Sequence, residues 1–75
     1  MRYVVLEIQV AQDGTTGTIA TTYDNVASAM AKYYQILSVA VQSDVMIHTA
    51  VIVNESGGVY RSECIRHEVT EVVEE

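Results

Sequence analysis

Only one stretch of this chain carries the periodicity of a helix, and one helix can cover only one side of a sheet. From Val26 to about Val41 the apolar residues recur every 3.6 positions. Val26, Met30, Tyr33, Leu37 and Val41 line one stripe, while Ser28, Lys32, Gln35 and Gln42 lie elsewhere. Asp24 or Asn25 is placed to cap its start, and Ser43-Asp44 ends it. A helix of about 17 residues is roughly 25 Å long, enough to span a small sheet once. Whatever sheet the remaining residues form therefore keeps a second face for water or for another chain.

The rest of the chain reads as strand. Tyr3 to Val10 alternates, with Val4, Leu6, Ile8 and Val10 on a face expected to be fully buried and Tyr3, Val5, Glu7 and Gln9 on a mixed one. Asp13-Gly14 is a hairpin signal. Thr16 to Tyr23 is threonine-rich and reads as a short edge strand. Val45 to Asn54 is a nearly continuous β-branched run, which suits a central strand. Ser56-Gly57-Gly58 is a turn, and Val59 to about Val69 the return strand. The order is ββαββ, an α+β fold with an antiparallel sheet and one helix packed on one face. One domain is expected over 1–75, with an ordered core at 1–67 and an acidic C-terminal tail at 68–75.

A 75-residue chain buries only about 60–65% of its unfolded surface, so its own core is marginal. Cys64 is the single cysteine, which excludes an intrachain disulfide and a Cys-based zinc site. Hydrophobic residues make up 49% of the chain, near the top of the globular range, and favour self-association as a homo-oligomer. Ten acids against four bases give a formal charge of −6, which disfavours nucleic acid and anionic membranes as partners. The acids are too scattered to mimic DNA. No signal peptide or membrane span is expected, and one free cysteine suits the reducing cytoplasm.

Taking Gly57-Gly58 as a two-residue turn sorts the second hairpin into two faces. Val51 then faces Cys64 and Thr49 faces Arg66. On the other side Asn54 faces Arg61, Ile52 faces Glu63, Ala50 faces Ile65 and His48 faces His67. A three-residue loop would swap these faces. The side with Val45, Ile47, Val51, Val53 and Cys64 is apolar enough to lie under the helix, which makes Cys64 a quiet buried thiol. The opposite side is apolar at its centre, through Met46, Ala50, Ile52 and Ile65, and ionisable at its rim. Glu7 and Gln9 join it if the first hairpin follows the same logic. That is the anatomy of an interface or a shared pocket. His48 opposite His67, with Glu63 near, is the best metal candidate, but no clustered ligand spacing supports it and no metal or cofactor is expected. Asp13-Gly14-Thr15-Thr16-Gly17 lacks the Lys-Ser/Thr of a phosphate loop. Cys64 and the histidines lie on opposite faces, so no Cys–His nucleophile forms.

Tyr3-Val-Val-Leu-Glu-Ile-Gln9, the Asp13-Gly14 turn, Tyr23-Asp24 before the helix, Lys32-Tyr33 within it, His48 in mid-strand and Ser62-Glu63-Cys64 with His67 resemble small proteins of tailed phages and prophages of Gram-positive bacteria. The resemblance spans nearly the whole chain, and none of its motifs is diagnostic of an activity. It implies a non-enzymatic role in the host cytoplasm. One such role is counter-defence, in which a homo-oligomer sequesters a nucleotide signal at subunit interfaces. Its ligand contacts would be Arg61, His48, Glu63, His67, Tyr34 and Lys32, with arginine on phosphate, tyrosine on the base and carboxylate on ribose hydroxyls. The alternative is a protein-interaction module, a phage structural accessory or an inhibitor of a host protein, docking through the same face or an edge strand.

Overall fold

A computed structural model describes residues 1–67; the acidic tail expected at 68–75 lies outside the described residues. The elements are β1 (Tyr3–Val10), β2 (Thr16–Tyr23), α1 (Val26–Ala40), β3 (Ile47–Asn54) and β4 (Val59–Arg66). They form one antiparallel sheet in the order β2-β1-β3-β4. The fold is α+β with β2 at one edge, as its threonine-rich composition led us to expect. β3 begins two residues later than expected, because the Ser43 hydroxyl accepts the Val45 N–H at 2.9 Å and holds that residue in the connection.

Local chemistry sets the boundaries. Asn25 caps α1: its backbone is extended (φ −140°, ψ 159°) and its side chain accepts the Ser28 N–H at 2.8 Å. Both hairpins turn through three residues that end in a left-handed glycine. Gln12-Asp13-Gly14 is closed by Ala11 and Thr15, and Glu55-Ser56-Gly57 by Asn54 and Gly58, with φ 91° at each glycine. The Thr15 N–H donates to the Asp13 carboxylate at 2.9 Å, and that backbone hydrogen bond holds the Asp13 pKa below its usual value.

A three-residue second loop ought to invert every side chain of β4. It does not, because a bulge follows at once. Val53 pairs with Val59 but Ile52 pairs with Arg61, so Tyr60 is the extra residue. The two one-residue shifts cancel. Arg61, Glu63 and Ile65 therefore share a face with Ile52, Ala50 and His48, as expected, although the partners differ. Ile52 faces Arg61, Ala50 faces Glu63, His48 faces Ile65 and Thr49 faces Cys64.

The helix covers the face we expected to be open. Val5, Ala50 and Ile52 are buried against Ala29, Tyr33 and Ile36, with Tyr3, Tyr23, Met30 and Leu37 packed around them. The alternate residues Val4, Leu6, Ile8, Val10, Ile47, Thr49, Val51 and Val53 are only partly buried and lie on the uncovered side. Two expectations are corrected with it: the all-apolar side of β1 is not fully buried, and Cys64 is exposed rather than tucked under the helix. The connection supplies the physical reason. β2 and β3 both run antiparallel to β1 and so parallel to each other, which makes α1 a crossover above β1. Crossovers between parallel strands are right-handed in about 98% of cases, and handedness selects a side whatever its polarity. The buried stripe of α1 is likewise rotated from the expected one, to Ala29, Tyr33, Ile36 and Ala40. Its alanines let helix and sheet approach closely, and Val41 is left exposed as the C-cap.

Candidate functional site

Beneath the helix lies a polar cluster. β1 and β3 pair Gln9 with His48 and Glu7 with Ala50, so these side chains meet on the covered face. His48 Nε2 and Glu7 Oε2 are 2.7 Å apart, and the Gln9 amide donates to the same carboxylate oxygen at 2.9 Å. The His48 side chain is 2% exposed and that of Glu7 14%. Nε2 is thereby engaged, and Nδ1 is the second polar atom of the ring. That Nδ1 is buried without a hydrogen-bond partner. Glu7 and Gln9 fall on the same face as His48, as expected, but the face is internal. A ligand therefore has no access to His48. Ala50 and Ile52, expected at a subunit interface, are fully buried within one chain, while Met46 and Ile65 are partly buried on the same side.

A second cluster lies where β4 reaches past the edge of the helix. Tyr33 is the hub. Burial pushes its phenol above the ordinary 10.0, the nearby Glu63 carboxylate pushes it further, Arg61 pulls the other way and Tyr34 adds to the rise. The Tyr33 and Tyr34 rings meet edge to face at 5.3 Å. The Arg61 guanidinium lies 6.0 Å over the Tyr60 ring, and Tyr60 meets Tyr3 edge to face at 6.0 Å. Tyr34 and Tyr60 are 52% and 50% exposed; Arg61 and Glu63 are exposed as well. The flank thus offers a cation, a carboxylate and aromatic surface to solvent. Tyr60 and Tyr33 escaped the sequence reading of the site, the first because only the bulge turns it and the second because it reads as core.

The structure does not bring the other expected contacts here. Lys32 is two residues from Tyr34, about 200° around the helix, and its ammonium lies 3.5 Å from the Gln35 amide oxygen. His67 follows the end of β4. Its backbone N–H donates to the Met46 carbonyl at 2.7 Å and its ring Nε2 to the Ala40 carbonyl at 2.6 Å, so it satisfies the C-terminus of α1. Six residues of strand, roughly 20 Å, separate it from Arg61. His48 faces Ile65 rather than His67, and the expected histidine pair does not form. Among the described residues no group of three or more His, Cys, Asp or Glu side chains could hold a metal ion. A cleft of about 370 Å³ is lined by Ala11, Gln12, Asp13, Asp44 and Val45, and none of the six expected ligand contacts borders it. Among the described residues no helix is long and apolar enough to cross a membrane.

No protein-family model, curated protein or solved structure matches this chain. The functional reading rests on the geometry.

Proposed function

We propose that the protein is a non-catalytic binding module that works as a homo-oligomer and sequesters a planar, anionic, nucleotide-like small molecule, in keeping with its resemblance to small phage proteins. The observation that carries the reading is the cluster on the α1–β4 flank. Arg61 is available for a phosphate, the exposed rings of Tyr34 and Tyr60 for a base, and Glu63 for hydroxyl groups. This set keeps three of the six contacts expected from the sequence, Arg61, Glu63 and Tyr34, and adds Tyr60. It does not use His48, His67 or Lys32, for the geometric reasons above.

The test is a thermal-shift screen with nucleotides, cyclic dinucleotides and ADP-ribose derivatives. A ligand that binds only the folded chain raises the melting point by mass action. Arg61→Ala should then weaken binding roughly ten- to hundredfold by removing a charge-assisted contact. Ser28→Ala keeps the backbone N–H that Asn25 accepts and should bind as the parent does. A chain indifferent to the whole panel overturns the ligand reading.

A second reading, a protein-interaction module, has its own support. The β2 edge, Thr16–Tyr23, carries no charged side chain. Uncharged edges can accept an added strand. Indifference to every nucleotide, together with capture of a strand-forming peptide at β2, would favour it.

A further inference from the structure

The side of the sheet away from α1 carries an apolar centre between more polar flanks. Val4, Leu6, Ile8 and Val10 of β1 lie beside Val53, Val51, Thr49 and Ile47 of β3. Ser62 and Cys64 of β4 continue the surface on one flank, and Thr18 and Ala20 of β2 on the other. We infer that this face docks onto the same face of a second copy, giving a dimer with two sheets inside and two helices outside. The inference rests on the homo-oligomer reading above and adds the surface that performs it.

Charge is the first argument. The chain has a net charge of −6, yet no carboxylate within the strands lies on this face. Glu7 and Glu63 point to the helix side through their register. Asp13, Asp24, Asp44 and Glu55 sit outside the strands. Among the described strand residues Arg66, at a corner opposite Ile47, is the one charged residue of the face. Two acidic chains can therefore meet here without setting carboxylate against carboxylate, as they could not on the flank that holds Glu63.

Area is the second. Four strands about 4.8 Å apart, each of eight residues rising about 3.4 Å, make a patch of roughly 19 by 27 Å, or about 500 Å². Two such patches remove about 1,000 Å² from water, the lower bound for a specific interface. Aligned sheets pack about 10 Å apart at roughly −30°, an arrangement open to two copies related by a two-fold axis. The dimer leaves the α1–β4 flank of both copies facing solvent, so self-association and ligand binding do not compete.

Cys64 is a built-in reporter, since it is exposed in one chain and lies on the face in question. The experiment combines light scattering after size exclusion with thiol labelling across a dilution series. The parent should weigh twice the 8.3 kDa of one chain, and labelling of Cys64 should slow as the dimer fills. Thr49→Lys replaces a half-exposed polar residue beside Cys64 and should give a folded monomer, checked by its circular dichroism, with Cys64 labelled fast at every concentration. Ser38→Lys, on the exposed side of α1, should remain a dimer. A monomeric parent overturns both the docking face and the homo-oligomer reading. A dimeric parent whose Cys64 reacts equally fast at all dilutions, and whose Thr49→Lys variant stays dimeric, overturns the face alone.

Discussion

β3 shows both faces of the sheet in a single strand. His48, Ala50 and Ile52 alternate with Ile47, Thr49, Val51 and Val53, and the two sets live in different surroundings. The first set is buried under α1; the second is only partly buried on the open side. Composition alone would assign them the other way, because the covered face also carries Glu7 and Gln9 while the open face of β1 is wholly aliphatic. The comparison teaches that a covered face need not be the more apolar one, provided most of its polar groups are paired. Glu7, Gln9 and His48 are joined by two short hydrogen bonds, and of the His48 ring only Nδ1 is left without a partner. The more apolar face is thereby left without a helix over it.

Neighbouring substitutions in β3 give the sharpest test of this contrast. Ile52→Ala should cost about 2–5 kcal/mol, the range for emptying a closed core site. Val51→Ala should cost about 1 kcal/mol when measured at high dilution, since its side chain is only partly buried. Urea midpoints of the two variants would read the difference, and equal losses would dissolve the distinction between the faces.

The polar cluster predicts a smaller effect. Glu7→Ala leaves His48 Nε2 buried without an acceptor and should cost about 1–3 kcal/mol. Glu7→Gln supplies an amide oxygen in nearly the same place and should recover most of that loss. If Glu7→Ala were neutral in equilibrium unfolding, the pair would not be closed off from water.

The ends of α1 hold the helix over its chosen face. Asn25→Ala removes the N-cap acceptor, and His67→Ala the donor to the Ala40 carbonyl. Each should lower stability by about 1 kcal/mol without changing self-association. A His67→Ala variant that instead lost ligand binding would return that residue to the site.

The last test is the smallest and depends on pH. The Tyr33 pKa is raised in the folded chain, so folding favours its protonated form. That contribution is fully present below the unfolded value near 10.0 and fades as pH climbs through the raised value. Stability should stay level in mild alkali and fall beyond it. Tyr33→Phe should flatten the fall, read from unfolding curves in an alkaline series.

Much of this architecture was legible from residue types and spacing. β-branched alternation marked four strands, a single 3.6-residue period marked one helix, Asp24-Asn25 marked the cap, and Asp13-Gly14 and Ser56-Gly57-Gly58 marked the turns. Even the grouping of Arg61, Glu63 and Ile65 with His48, Ala50 and Ile52 was readable, although it survived only because a three-residue loop and the bulge at Tyr60 offset each other. Of the expected site, Arg61, Glu63 and Tyr34 lie at one flank. His48, His67 and Lys32 do not, since strand registers and helix angles hold them apart.

Local sequence by itself determined the elements, because propensity, periodicity and capping act within a few residues of one another. It also determined that one sheet face would lack a helix, since the described residues hold a single helix to supply it. Which face that would be belonged to the tertiary structure. Both faces are apolar enough to accept a helix, and the choice follows from the direction in which α1 crosses β1, a property of strand order and chirality that no single segment encodes.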